Sequence, residues 1–453
     1  MQSGVKAKKK RVVSGMRPTG RLHVGHYFGA LQNWVRLQND PEYDCFYFIA
    51  DWHALTSDYA DASAVAQNTI EITTDYLAAG LDPDKSVIFQ QSLVREHAEL
   101  HLLLSMVTPL GWLERVPTYK EALEQVKDKD LHTYGFLGYP CLQTADIVIY
   151  SEEHTELFVP VGEDQVSHVE LSREIVRKFN LHNITLDFDR LESDAMAVKV
   201  LQSTFADEAN FAIQSGFGQL LTHVPHEELL RLQSSIRARV AEVGLNNYFE
   251  EASKKLEQDP DFHRIQSQQF KNFVDTHSVF RESQKGLLCE PAVMLTQTPR
   301  IPGLDGRKMS KSYGNTITLS ESDVDIRAKT KVMVTDPARK RRSDPGNPDV
   351  CPVYDWHKLF SPPATLEWAA NGCRTAGIGC IECKSAMADY LIKWIEPVRA
   401  RRLEFEKEPA KVLQILNRGS ERARGVAQQT MTRVREAVFG WDSKRKEIYG
   451  TGE

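Results

Sequence analysis

The strongest constraint on this chain is the alternation of short apolar runs with helical periods through its first 180 residues. Arg11-Val12-Val13-Ser14-Gly15 predicts a first strand, and Pro18-Thr19-Gly20 the turn that leaves it. From His26 to Leu37 the spacing is helical, with Tyr27, Ala30, Leu31 and Trp34 on one face. Cys45 to Ala50 is almost unbroken apolar text, which suits a strand buried on both faces. A helix over Ser63–Ala79, strands over Ser86–Phe89 and Glu156–Val161, and a helix over Val166–Lys178 continue the rhythm. Strands that alternate with helices form a parallel sheet with helices on both faces, a doubly wound α/β fold.

After about Arg190 the rhythm breaks. Residues 190–286 carry helical periods without catalytic text, so they predict a helical insertion. Residues 11–189 and 287–323 then form the two parts of one α/β domain, and 324–453 an all-helical C-terminal domain. Residues 1–10 predict a disordered basic tail. At 453 residues, two or three domains are expected. No apolar run approaches the roughly 20 residues that span a bilayer, so a cytoplasmic protein without membrane contact is expected. The net charge of −6 argues against wholesale coating of nucleic acid, and leaves Lys8–Arg11, Arg339–Arg342 and Arg399–Arg402 as candidate basic surfaces.

Two motifs carry the chemistry. His23-Val24-Gly25-His26 follows the first strand. Gly25 removes a side chain where a flat base could pack on the backbone, and the adjacent helix start offers N–H groups to phosphate. His23 and His26, at i and i+3, can face the same anion, although histidines at helix starts also serve as simple caps. Lys308-Met309-Ser310-Lys311-Ser312 lies much later, in a loop flanked by Gly303, Gly306 and Gly314. Two mobile ammonium groups can close over a leaving pyrophosphate. Neither a Walker A loop nor a Gly-x-Gly-x-x-Gly fingerprint is present.

Seven cysteines in a cytoplasmic chain do not predict disulfides. Cys45, Cys141 and Cys289 sit in apolar text, but Cys351, Cys373, Cys380 and Cys383 form C-x21-C-x6-C-x2-C among Gly372, Gly377 and Gly379. Four thiolates could hold structural Zn²⁺ or a [4Fe–4S] cluster, and the Cys-x2-Cys pair alone leans towards zinc.

The motif pair resembles the ATP-handling motifs of class I aminoacyl-tRNA synthetases. Four further strings are similar to bacterial tryptophanyl-tRNA synthetases: Ser14–Gly20, Ala50–Thr56, Tyr139–Asp146 and Val159–Gln165. The resemblance covers residues 11–182 and 287–440 and implies a Rossmann-like fold, a tryptophan–tRNA ligase activity and a homodimer. It implies that Asp146 accepts the indole N–H of tryptophan, with His53, Tyr139, Gln143 and Gln165 around the same substrate and Val13 and Val161 as apolar walls. Arg17, Pro18, Thr19, Gly25 and His26 would meet ATP on one side. Gly162, Glu163, Asp164 and Ile301 would meet its adenosine on the other, with Lys308, Met309, Ser310, Lys311 and Ser312 closing over the phosphates. Mg²⁺ is expected on those phosphates, although the sequence shows no carboxylate cage for it.

Gln143 departs from the family, where Met is common. It either bonds a neighbour or marks a subgroup. Residues 190–286 have no counterpart in most members. A subset of the family carries a [4Fe–4S] cluster on a nearly identical cysteine pattern, preceded as here by Asp336-Pro337-Ala338-Arg339 and Asp344-Pro345-Gly346-Asn347-Pro348. The resemblance therefore implies the cluster over zinc. Tyrosine specificity, or an RNA-binding paralogue without catalysis, are the readings that compete.

Overall fold

A computed structural model describes residues 10–125, 129–152, 155–183, 287–296 and 301–449, together with isolated positions between 231 and 254. Most of the expected insertion over 190–286 lies outside the described residues, as do residues 1–9 of the tail expected over 1–10, while Lys10 instead opens the first strand. The chain divides into two compact units, each gathered from three stretches.

The first unit comprises residues 1–95, 158–166 and 293–424. Its centre is a five-stranded sheet ordered β3-β2-β1-β4-β5, with β1 at Lys10–Met16, β2 at Tyr43–Ile49, β3 at Val87–Gln90, β4 at Glu156–Val161 and β5 at Ala292–Leu295. β1 and β2 run parallel in the register Val12↔Cys45 and Met16↔Ile49, and β2 and β3 in the register Phe46↔Val87. The order reverses direction between β1 and β4. In a doubly wound sheet that is where a crevice opens beyond the carboxyl ends of the strands.

β1 leads through Gly20, whose φ of +96° suits glycine, into a helical run. That run is α-helical at Val24–His26, π-helical at Tyr27–Leu31 and α-helical again at Gln32–Gln38. The sequence predicts a plain α-helix here; the extra residue per turn is a device frequent at functional sites. Trp34 stacks on Tyr47 with centroids 4.6 Å apart, pinning the run to β2. The Val65–Ala79 helix packs against the long Cys380–Glu406 helix. Their contact joins Ile72, Tyr76 and Val398 to one core. A second core centres on Trp356, whose indole donates to the Pro302 carbonyl at 2.9 Å, fastening the C-terminal helices beneath the loop of the second motif.

The second unit comprises residues 96–157, 167–292 and 425–453. Within it the Glu96–Val107 helix packs on the Tyr139–Val148 helix. Ser151 ends that segment, and its carbonyl accepts the Thr430 hydroxyl at 2.8 Å and the Arg433 guanidinium at 2.5 Å. Among the described residues no helix is long and apolar enough to cross a membrane.

Candidate active site

The two motifs meet in the first unit, and backbone hydrogen bonds bring them together. The Val24 amide donates to Ile317 O at 3.0 Å, and the Leu319 amide to Leu22 O at 2.9 Å. The segment after the lysine loop is thus laced antiparallel to the segment entering the histidine motif, with a bridge between His23 and Thr318. Asn315, 3% exposed, staples the loop: it donates to Asp305 at 2.7 Å and accepts the Ser310 amide at 2.8 Å. The Asn315 amide, with help from Arg307, holds the Asp305 carboxyl at about 2.

His23 and His26 cap one another. The His26 amide donates to His23 Nδ1 at 3.3 Å, and the His23 amide to His26 Nδ1 at 3.2 Å. A nitrogen that accepts a hydrogen bond carries no proton, so each neutral ring must carry its proton on Nε2. The rings stack at 3.6 Å. Burial, followed by the Lys311 charge, lowers His23 to about 4; burial, then His23, then Lys311 lower His26 well below its ordinary value. Both rings are neutral at physiological pH, each with an Nε2–H to donate. A Cβ on Gly25 would stand 3.0 Å from the His23 ring and 3.3 Å from Met309 Sδ, so the residue between the histidines has no room for a side chain.

Lys311 reaches across to the first motif, and its Nζ donates to Gly20 O at 2.7 Å and Thr19 O at 3.0 Å, 291 and 292 residues away. Burial lowers its ammonium to about 8, opposed by the negative charge of Asp75. Lys308 is exposed. Arg17 is anchored on Ser57 Oγ at 2.6 Å and Asp58 at 3.3 Å.

These groups surround a cleft of about 1120 Å³ lined by Arg17, Thr19, His23, Gly25, His26, Ile301, Lys308, Met309, Ser310 and Lys311. Met16, Leu22 and Gly29 also line it, and the sequence reading missed them. Gly29 lies one helical turn beyond Gly25, so its place was legible from the period; Met16 and Leu22 have no comparable signal. Pro18, Gly162 and Glu163 are not among the lining residues, and the side chains of Asp164 and Ser312 lie outside the described residues. Elsewhere in this unit, Val13 is fully buried within β1, and His53, Val161 and Gln165 are half-buried just beyond or at the ends of their strands.

In the second unit, Tyr139, Gln143 and Asp146 occupy i, i+4 and i+7 of the Tyr139–Val148 helix, hence one face. Asp146 is buried. Gln143 has a definite partner: its Oε1 lies 3.1 Å from His168 Nδ1, while His168 Nε2 is 2.8 Å from Thr118 Oγ1 and 3.2 Å from the Tyr139 hydroxyl. Gln143 thus bonds a neighbour, as one of the two readings of this position expects.

A model of the tRNA synthetases of class I (W and Y) matches residues 6–202 and 267–396. A tryptophan–tRNA ligase of Ralstonia nicotianae is 45% identical over 430 residues, covering 95% of this chain and 98% of its own. The corresponding ligase of Thermotoga maritima is 38% identical, covering 94% and 98%. The chain belongs to the tryptophan–tRNA ligases of class I. The tryptophanyl-tRNA synthetase of Campylobacter jejuni, solved with ADP and tryptophan, has a TM-score of 0.64 at 25% identity, covering 94% of this chain and 99% of that one.

The synthetase's four clustered cysteines belong to the first unit. Cys380 and Cys383 open the Cys380–Glu406 helix, Cys351 caps the Pro352–Phe360 helix, and Cys373 nearly ends the Pro363–Arg374 helix. Arg339 Nη1 lies 3.9 Å from Cys373 Sγ, and the Gly346 amide donates to Cys373 O at 2.9 Å. Burial, then the charges of Cys351, Cys373 and Cys380, push the Cys383 thiol up to about 12, so the four sulfurs lie within one another's fields. Among the described residues no three His, Cys, Asp or Glu side chains converge tightly enough to hold one metal ion.

Several charges of two of the three basic runs are taken up within the fold. Arg11 is buried and pairs with Asp44 at 2.7 Å, Lys10 pairs with Glu42, and Lys8 lies outside the described residues. Arg399 pairs with Asp323, Arg401 donates to Ala78 O, and Arg402 is buried among Glu71, Asp75 and Glu406. In the remaining run Lys340, Arg341 and Arg342 are exposed and line a groove with Trp368 and Cys380.

Proposed function

We infer that this synthetase activates L-tryptophan with ATP and passes the acyl group to tRNA(Trp). The observation that carries the phosphate chemistry is the junction of the motifs: two neutral Nε2–H donors and the Lys311 ammonium at one cleft. An oxygen of tryptophan's carboxylate bonds to the α-phosphorus as the bridge to the β-phosphate breaks, giving tryptophanyl-adenylate and pyrophosphate. The nucleophile is already ionised, so no general base is required. His23, His26, Lys308 and Lys311 act by stabilising charge that develops on the phosphates. A ribose hydroxyl of tRNA then attacks the acyl carbon, loses its proton and releases AMP. Among the described residues no carboxylate lines the cleft; Mg²⁺ bound to ATP's own oxygens would neutralise part of their charge.

For the amino acid, the reading assigns Asp146 to the indole N–H, with Tyr139 and Gln143 on the same helix face. An indole offers one donor and no acceptor, so a buried carboxylate discriminates well. Amino-acid-dependent pyrophosphate exchange tests the assignment: exchange with tryptophan is expected, and exchange with tyrosine alone would overturn it.

The resemblance of the cysteine pattern to the cluster-bearing subset puts a [4Fe–4S] cluster ahead of zinc at the four cysteines. A single Zn²⁺ draws four thiolates to about 2.3 Å from one point, whereas a four-iron cluster is larger and holds them further apart. Burial raises the Cys373 thiol, and the Arg339 guanidinium beside it opposes that rise. Cys351, Cys373, Cys380 and Cys383 would hold the group, which supplies a rigid crosslink there. Anaerobically purified protein is expected to absorb near about 400 nm, as thiolate-ligated iron does. Colourless protein holding zinc would refute the cluster.

The exposed Lys340–Arg342 and Trp368 offer cations and a stacking plane to tRNA. Homodimer formation is supported by Leu102 and Met106, exposed at i and i+4 on the Glu96–Val107 helix, with exposed Leu110 just beyond. A monomer in sedimentation would contradict it.

A further inference from the structure

The second unit holds a buried chain of three side chains that the proposed chemistry does not use in full. His97 Nδ1 lies 2.5 Å from Asp146 Oδ1, and His97 Nε2 lies 2.7 Å from the Tyr150 hydroxyl. Tyr150 and His97 are 0% exposed and Asp146 is 1% exposed. Asp146 and Tyr150 are four residues apart at the end of one helix, and His97 comes from the first turn of the helix packed on it.

We propose that His97 is a positioning residue for tryptophan recognition, holding Asp146 as an oriented acceptor while Tyr150 fixes the imidazole tautomer. The proposal rests on the assignment of Asp146 to the indole N–H. A carboxylate can only accept, so the proton of the short contact belongs to Nδ1. Nε2 of a neutral ring is then an acceptor, and the Tyr150 O–H stands 2.7 Å away to donate to it. The chain therefore runs in one direction, from hydroxyl to imidazole to carboxylate.

That direction matters because the substrate offers only an N–H. A buried carboxyl with no donor tends to take up a proton, and a protonated carboxyl turns a donor towards its surroundings. Two donors would then face each other. A standing N–H from His97 fixes the plane of the carboxyl. A carboxylate has about four lone-pair directions, so accepting from His97 leaves capacity for a second donor. His97 thus acts on tryptophan through Asp146, without touching the substrate.

The test is pyrophosphate exchange by the full-length protein with tryptophan and with its benzothiophene analogue, in which sulfur replaces the indole N–H. His97→Phe is expected to raise KM for tryptophan about tenfold to hundredfold, the range for losing a charge-assisted hydrogen bond, while KM for ATP stays unchanged. Its preference for tryptophan over the analogue should fall by the same factor. His97→Asn, whose amide N–H can take the place of Nδ1–H, should recover part of that preference. Tyr150→Phe should lower it by a smaller factor, and serves as the decisive variant if His97→Phe fails to fold. Equal losses for tryptophan and analogue would mean that His97 only supports the structure, and would overturn the proposal. An unchanged preference in His97→Phe or Tyr150→Phe, beside a preference abolished in Asp146→Ala, would overturn it while the Asp146 assignment stands. A preference that survives Asp146→Ala would remove the assignment itself, and the proposal with it.

Discussion

Lys311→Ala is expected to slow adenylate formation by about 10²–10³-fold, the usual cost of deleting one charge stabiliser, with tryptophan binding almost unchanged. The Lys311 ammonium rests on the carbonyls of Thr19 and Gly20. Those neutral oxygens are weaker partners than a developing pyrophosphate, so the lysine has more to gain in the transition state than in the resting loop. Burial has already lowered its ammonium to about 8. The sign of the pH dependence follows. Above about pH 8 the free protein loses the charge, so kcat/KM for ATP should fall there. With phosphates bound the proton is retained, so kcat should fall less. Lys311→Arg, charged throughout, should abolish the alkaline fall in kcat/KM even if its planar head lowers the maximum. Pre-steady-state adenylate formation and the pH profile of exchange measure both. Equal losses in adenylate formation and tryptophan affinity would mean that the loop is structural.

The legible part of this molecule is the part that is local in sequence. Central parallel strands are covered on both faces, so β1 to β4 announce themselves as apolar runs whose bounds agree with the structure to within a residue or two. The short β5, half exposed, gives little such signal. The π-helical stretch over Tyr27–Leu31 was hidden because its apolar residues also satisfy an α-helical period. Spacing put His23 and His26 on one side, but only coordinates reveal that they cap each other and thereby fix both tautomers. Asn315 looked like loop text, and its role as a staple depends on the fold of the whole turn. Charge was the least legible. Composition counts an arginine without its partner, and two partners of Arg402, Asp75 and Glu71, lie more than 320 residues away.

That arginine sets the largest stability effect expected here. Arg402 is 1% exposed and makes close ion pairs with Asp75 and Glu71, besides a contact to Glu406 at 2.8 Å. The other oxygen of Asp75 accepts the Leu22 amide at 2.6 Å, one residue before the histidine motif. Burial pushes the Asp75 carboxyl up to about 6 against the pull of Arg402, so the pair is ionised at neutral pH. Arg402→Met removes one partner of a buried pair and leaves the other uncompensated, which costs about 3–5 kcal/mol, read as a lower urea midpoint. Glu71 keeps Arg21 at 3.0 Å, so the loss falls mainly on Asp75. Because the stranded carboxyl can escape by taking a proton, the deficit should be smaller at pH 5 than at pH 8. Asp75→Asn added to Arg402→Met should recover much of the loss, since the amide needs no counter-ion and its oxygen still accepts from Leu22. A deficit independent of pH, or a double variant no better than the single, would place the cost in packing of the arginine stem instead of in the stranded charge.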